Sequence, residues 1–365
     1  MTENQTIAAP GRVNLIGEHI DYHGLPVLPM ALRRSVRVTF RPRADRRIRA
    51  TSAGSYGDRE FAWTPHLAPV KPGDWENYLR AAAEAVAGKW GVLHGIDAAI
   101  ASDLPPAAGL SSSSALIVAF TLALLRANGI EAGFEELMEV LPEGEHFVGT
   151  RGGGMDHAAS LASRAGCASL IAFAPLSVRH VPIPPDWAFL VAHSLHTAEK
   201  SGAAREEYNA RRLAGVEGLR ALGFPSYAEA MLAHAAPPAD PLQRDAFLHV
   251  TSEALRVQEA VDSMERDLPE HFGQLLLASH ASLRDRLKVS SPPLDHLVDA
   301  AMRSGALGAR LTGAGFGGCV VILCRRPERP EVRSRLLARY YSGRAEFDPG
   351  QHLIDAEPGA GALHS

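Results

Sequence analysis

Apolar and polar residues along this 365-residue chain switch several times between a two-residue and a helical period. Near the amino end, Val13–Ile16, Val27–Met30 and the alternating Ser35–Phe40 (SVRVTF) predict strands broken by Gly and Pro. Arg41–Arg49 is basic and turn-prone and predicts a solvated hairpin. From Trp75 to Trp90 the residues Tyr78, Ala82, Ala85 and Val86 fall on one helical face, with Gly88 near the end. Ile96–Ile100 predicts a further strand, and the loop Leu104–Gly109 then opens an apolar helix reaching about Arg126. A helix over about Glu135–Phe147, a glycine-rich turn Gly149–Gly154, a helix over Ala158–Ala165 and a strand over Ala168–Phe173 follow.

Pro182-Ile183-Pro184-Pro185 interrupts this pattern, because three prolines in four residues continue no regular element. We set the domain boundary there, giving residues 1–183 and 184–365. Beyond it Trp187–Ala192 predicts a strand and residues 201–288 are mostly helical. Ala309–Thr312 and Cys319–Cys324 predict a strand–turn–strand. Strands and helices mix in both halves, which implies an α+β fold rather than a doubly wound sheet.

Composition narrows the functional classes. An apolar share of 46% and a charged share of 21% are those of a globular chain, and the length suits two domains. Lys and Arg number 37 against 41 Asp and Glu, a net charge of -4 that gives no electrostatic reason for nucleic-acid or anionic-membrane binding. Three cysteines without a CxxC pair fit a reducing compartment. The longest apolar run, Ala115–Leu125, is far short of a membrane span, and residues 1–9 lack the marks of a secretory signal. The expectation is a cytoplasmic protein, and the pattern favours neither a monomer nor a homo-oligomer.

Two glycine-rich segments suit a phosphate. Pro105–Ala115 (PPAAGLSSSSA) joins a predicted strand to an apolar helix. Small residues let the backbone approach an anion, the helix start offers free N–H groups, and hydroxyls add donors and a Mg²⁺ ligand. The competing reading is a serine N-cap without a ligand, but four consecutive serines exceed what a cap needs. The second segment, Gly313–Gly318 (GAGFGG), satisfies G-x-G-x-x-G, yet a strand rather than a helix follows it, which argues against a dinucleotide fold. No G-x-x-x-x-G-K-[ST] sequence occurs, so any nucleotide is held without a P-loop lysine.

Charge chemistry gathers near the amino end, where Arg12, Glu18, His19, Asp21 and His23 lie within twelve residues. Strand alternation would put His19, Asp21 and His23 on one face. Three readings stand: a metal site, a solvated hairpin edge, or a set of donors and acceptors for sugar hydroxyls. Asp156 follows Gly152–Met155 at a predicted helix start, where an acid also serves as a cap.

Together these segments resemble the GHMP small-molecule kinases, and within them the galactokinases. Pro10–Tyr22 (PGRVNLIGEHIDY) is similar to the galactokinase signature almost residue for residue. Gly109–Ala115 is similar to the family's phosphate loop, and Leu311–Cys319 to its third glycine motif, with Gly313, Gly315, Gly317 and Gly318 as the glycines. Gly153–Asp156, Glu207–Arg212, His280–Asp285 and Gly359–Leu363 extend the likeness over the whole chain.

The resemblance implies a GHMP kinase fold, in which an amino-terminal domain like one of ribosomal protein S5 meets a ferredoxin-like carboxy-terminal domain. It implies an ATP- and Mg²⁺-dependent kinase acting on the C1 hydroxyl of a sugar, with galactose the first expectation. Asp156 would then be the base and Arg12 its partner. The segment Gly109, Leu110, Ser111, Ser112 and Ser113 would hold the ATP phosphates, and Ser113 the Mg²⁺ ion. Glu18, His19, Asp21, Gly153 and Tyr208 fall at sugar-contacting positions.

Several positions depart from the family pattern. Ile20 stands where Thr is usual, His23 where Asn is usual, and Gly24-Leu25-Pro26 replaces the usual step. Gly152 and Gly154 replace a frequent Cys and Ile, His157 replaces Gln, and Ser114 replaces Ala. Gly144 aligns with the Mg²⁺-binding Glu, flanked by Glu143 and Glu145. One residue turns a helical side chain by about 100°, and Glu145 is the choice made here. A kinase for another sugar (arabinose, a galacturonic-type acid or N-acetylgalactosamine) and a non-catalytic sugar sensor are the alternative expectations.

Overall fold

The computed structural model describes residues 4–54, 56–105, 109–149, 152–197 and 203–364, leaving out the side chains of 145, 146 and 203–205. Residues 106–108 of the first glycine-rich loop and 150–151 of the Gly149–Gly154 turn therefore lie outside the described residues.

The amino-terminal strands are longer than their apolar runs. β1 (Gln5–Ile16) pairs antiparallel with β2 (Leu28–Pro42), so Val27–Met30 and Ser35–Phe40, expected as separate strands, lie almost wholly in one. Register shifts between Pro10 and Arg12 and between Asn14 and Ile16 absorb the residues that would otherwise break the ladder. β3 (Arg47–Ser52) and β4 (Arg59–Ala62) follow, then α1 (Glu76–Trp90) and β5 (Ile96–Ser102). The sheet order is β1-β2-β5-β3-β4, with β3 parallel to β5. The Arg41–Arg49 hairpin is thus corrected: β5 lies between β2 and β3, and its Asp97 answers Arg41 at 2.9 Å and Arg43 at 2.7 Å.

α2 (Ser112–Ala127) is buried without a break from Ser114 to Thr121. Together with α3 (Phe134–Phe147) and α4 (Met155–Ala162) it packs beside the sheet, α2 and α4 both resting on β1. A hairpin, β6 (Cys167–Phe173) and β7 (Leu176–Pro182), closes this half and bridges to Val27 through Ile171.

After the prolines come β8 (Trp187–His193) and a helical stretch. It comprises α5 (Ala203–Ala221), α6 (Tyr227–Leu232), α7 (Pro241–Glu265), α8 (Pro269–Asp285) and α9 (Pro292–Arg303). β9 (Gly308–Thr312), β10 (Cys319–Arg325), α10 (Arg329–Leu336), α11 (Pro349–His352) and β11 (Leu353–Asp355) complete a four-stranded sheet of order β11-β8-β10-β9. All strands of this sheet are buried along most of their length, as a sheet covered on both faces requires. The chain then crosses back to the first half: Gly359 N–H donates to Ala31 O and Gly361 N–H to Ser163 O. The α+β expectation holds in both halves. Among the described residues no helix is long and apolar enough to cross a membrane.

Candidate active site

The site forms where β1 meets the starts of α2 and α4. Ser111 is the cap position of α2, but at φ 56° it is left-handed and its hydroxyl does not cap the helix. Ser111 Oγ instead donates to Asp156 Oδ2 at 2.5 Å. Gly154, not Asp156, is the cap position of α4, which leaves the Asp156 carboxylate in the first helical turn free for other partners. The cap readings of both segments therefore give way to a shared contact.

Arg12 supplies the charge. Its Nη2 is 2.6 Å from Asp156 Oδ1 and its Nε donates to the same oxygen at 2.7 Å. Its Nη1 donates to Gly109 O at 2.8 Å, which binds β1 to the glycine-rich loop. Desolvation alone would raise the Asp156 carboxyl, but the Arg12 charge and the Ser111 hydrogen bond bring it below its ordinary value. Asp156 is thus ionised at neutral pH, with 23% of its side-chain surface open to the cleft. Two helix starts point their N–H groups at the same place, a setting that suits an anion.

The second glycine motif backs the first. A Cβ at Gly313 would stand 3.4 Å from Gly109 O, so the two loops touch back to back. Gly315 lies against Val289 O, and Gly318 exchanges hydrogen bonds with the Ser194–His196 loop at 2.8 Å each. Gly317 completes a run in which every glycine has a positive φ. The segment packs two turns of chain closely, as its composition suggests, and leads directly into β10.

The signature acids and histidines separate into two groups. Glu18 is buried and turned to the second domain: its Oε1 accepts from Gly313 N–H at 2.6 Å and Thr312 Oγ1 at 3.2 Å, and lies 2.8 Å from Arg310 Nη2. Asp21 faces the other way, its Oδ2 accepting from Gly153 N–H at 3.1 Å. Gly153 has to be glycine here, because a Cβ would fall 2.4 Å from the Asp21 carbonyl carbon. The expected alternation of His19, Asp21 and His23 fails. His19 is left-handed at φ 63° and Asp21–His23 is a single 3₁₀ turn, so no strand runs there.

His19 sits between the domains. Its Nε2 donates to Ala314 O at 3.2 Å and its Nδ1 accepts from Tyr22 Oη at 2.7 Å, an assignment that suits a neutral ring. Burial holds its pKa below the ordinary value. Tyr208 of α5 packs its ring 5.2 Å from His19 and 5.9 Å from Tyr22, closing this end of the cleft. Asp21 carries no ion pair among the described residues; desolvation and the nearby Asp156 push its carboxyl up to about 7.

Among the described residues no cluster of three His, Cys, Asp or Glu stands ready for a metal. Gly144 of α3 lies against Ala81 of α1, while Met138 and Pro142 meet Gly154 at the start of α4. The side chain of Glu145 is outside the described residues. Leu110 is buried, its carbonyl accepting from Arg12 N–H, and Ser112 and Ser113 open α2 beside Ser111. Sequence reasoning missed Arg310, a fully buried cation 2.8 Å from Glu18 and 3.8 Å from Glu253. An arginine inside the apolar strand Ala309–Thr312 was its only signal.

Comparison with known proteins agrees with this geometry. The GHMP kinases N terminal domain matches residues 77–164 and the GHMP kinases C terminal domain residues 260–342, so the fold and the loops at its seam are those of a GHMP kinase. The galactokinase galactose-binding signature matches residues 2–42. Galactokinase of Roseiflexus sp. is 38% identical over 349 residues, covering 92% of this chain and 87% of the relative. Human galactokinase is 34% identical over 369 residues, covering 98% and 92%. The crystal structure of Lactococcus lactis galactokinase complexed with galactose superposes with a TM-score of 0.88 at 26% identity, over 99% of this chain and 95% of that one. A mevalonate kinase at 18% identity and a TM-score of 0.66 shares the fold. The chain belongs to the galactokinase family.

Proposed function

We propose that this protein phosphorylates galactose at its C1 hydroxyl, with ATP as the donor. The observation that carries the reading is the Arg12–Asp156–Ser111 contact at the head of the glycine-rich loop, three residues beyond the Gly153–Asp21 contact. One end suits phosphates and the other hydroxyls, and an ionised aspartate stands between them.

In the proposed reaction Asp156 accepts the proton of the C1 hydroxyl as that oxygen bonds to the γ-phosphorus and the bond to ADP breaks. Arg12 holds the carboxylate in place and answers negative charge spreading over the transferring group. The backbone of Gly109, Leu110, Ser111, Ser112 and Ser113 receives the ATP phosphates. Asp21, His19, the Gly153 backbone and Tyr208 position the sugar, so that much of the rate comes from alignment. Glu18 serves the sugar end through the frame, as the strut that binds the signature to Arg310 and Gly313.

Mg²⁺ belongs to the same proposal, since the ion binds through one or two protein groups plus phosphates rather than in a protein cage. The residues fit it. Helical period puts position 145 on the stripe of Met138 and Pro142, which meets the start of α4, whereas Gly144 faces α1. Ser113 and Glu145 would hold the ion, and it would neutralise phosphate charge. A cytoplasmic setting, where ATP is abundant, goes with this reading.

The test is ADP release across a panel of sugars with Mg²⁺. Galactose is expected to exceed arabinose, galacturonate and N-acetylgalactosamine. Strong turnover of one of these with galactose near background would overturn the substrate. Tight binding of ATP and galactose without turnover would make the protein a sensor instead.

A further inference from the structure

One contact beside the sugar end involves residues to which the reaction gives no task. The Asp21–His23 turn meets α5 along a single helical stripe. Tyr208 touches His19 and Tyr22, the Arg212 guanidinium lies 6.0 Å from the centre of the Tyr22 ring, and Gly215 receives His23. Spacings of four and three residues put these α5 positions on one face.

The last contact is the tightest. A Cβ at Gly215 would stand 2.6 Å from His23 Nε2 and 2.7 Å from its Cε1, inside any tolerable separation. From the other side, Tyr227 Oη donates to Gly215 O at 2.8 Å, and the Tyr227 and His23 rings lie 4.9 Å apart. An imidazole and a phenol thus grip the helix backbone at the one residue without a side chain. Glycine is a poor helix former, and here its presence has a steric reason. Desolvation, reinforced by the Arg212 charge, pushes His23 down to about 3, so the ring packs in its neutral form. A shorter side chain at position 23, such as Asn, would leave the seat unfilled.

We propose that His23 is a positioning residue: seated on Gly215, it sets how closely α5 lies to the Asp21–His23 turn, and so where Tyr208 stands at the sugar end. The role rests on the reading that this cleft binds galactose. His23 and Gly215 act as a matched pair, in which a larger residue at 215 demands a smaller one at 23.

The experiment is a double-mutant cycle on the full chain: wild type, Gly215→Ala, His23→Asn and the double variant. Gly215→Ala is expected to raise the KM for galactose about tenfold, with kcat and the KM for ATP within about twofold of wild type. Adding His23→Asn should bring the galactose KM most of the way back. An unchanged KM in Gly215→Ala, or a loss that His23→Asn does not relieve, overturns the proposal. If Gly215→Ala does not fold, His23→Ala, which only removes atoms, is read instead. A raised galactose KM at constant kcat supports the role, and an unchanged KM overturns it. Wild-type turnover of galactose separates the two claims, because its absence counts against the substrate alone. Thermal melting of the same four proteins then reads the pairing without sugar, and additive losses there overturn the seat.

Discussion

Asp156 and Asp21 are two half-buried acids of one cleft, held by opposite means. Asp156 has Arg12 on one oxygen and Ser111 on the other, and it stays ionised despite desolvation. Asp21 receives a backbone N–H from Gly153 and is left near pH 7 by desolvation and by the charge of Asp156. Environments that push two carboxyls apart divide the work between them. The paired acid is a base with a fixed charge, ready for a proton. The other acid is an acceptor whose full complement of hydrogen bonds is completed only by hydroxyls that enter the cleft.

The sharpest way to break this contrast is to remove the base. Asp156→Asn should lower kcat by roughly 10²–10⁴-fold, the usual scale for general-base catalysis, with galactose affinity little changed. Steady-state kinetics together with calorimetric binding of the sugar would check it, and a variant keeping most of the wild-type kcat would remove Asp156 from the chemistry. Next comes its partner. Arg12→Met should cost about 10²–10³-fold in kcat, the scale for losing one charge-stabilising group. With the cation gone, desolvation dominates and the Asp156 carboxyl rises, so the acid limb of the kcat–pH profile should move to higher pH. A fall in kcat with an unmoved limb would assign Arg12 to the phosphate alone.

How much of this was legible beforehand differs between the two acids. Arg12 and Asp156 stand beside glycine-rich loops whose composition signals a close backbone approach, so their candidacy could be read from residues alone. Their pairing could not, since 144 residues separate them and only the packing of α4 on β1 joins them. The Asp21 side was harder. Alternation was a fair expectation after Val13–Ile16, but Gly17 at φ 103° and His19 at φ 63° turn the chain out of the strand. The strand over Val27–Met30 and that over Ser35–Phe40 merged because β1 pairs along both, a tertiary effect that local periodicity does not carry. β11 was missed for a related reason: three residues hold their place by pairing with β8, with too short a pattern to see. The grip of His23 on Gly215 had a visible glycine and a visible histidine, but nothing in either pointed to the other.

A smaller effect tests which flank of Gly144 serves the phosphate end. Glu145→Gln should raise the Mg²⁺ concentration needed for half-maximal rate about tenfold, while Glu143→Gln should leave it within about twofold. Titrating MgCl₂ at fixed ATP reads both. A reversed order would place the exposed Glu143 on the ion and would mean that α3 is turned by one residue from the stripe defined by Met138 and Pro142.

The smallest expected effect falls on stability and sharpens the contrast most directly. An aspartate held at about 7 in the folded protein against 3.8 without its surroundings binds its proton more tightly when folded. Folding stability is therefore lost as pH rises from about 4 to about 7, and the whole loss is present above that range. Asp21→Asn removes the charge that causes it, so the variant should melt with wild type near pH 4.5 and above it at pH 8, by on the order of 1 kcal/mol. The same variant should bind galactose more weakly, a trade of function for stability. For Asp156 the sign reverses: its lowered pKa stabilises the fold above the ordinary carboxyl range and is lost on acidification. Melting curves of both asparagine variants at the two pH values decide it. A stability difference for Asp21→Asn that is the same at both would mean its carboxyl is already answered by a charge, and the two acids would then be alike.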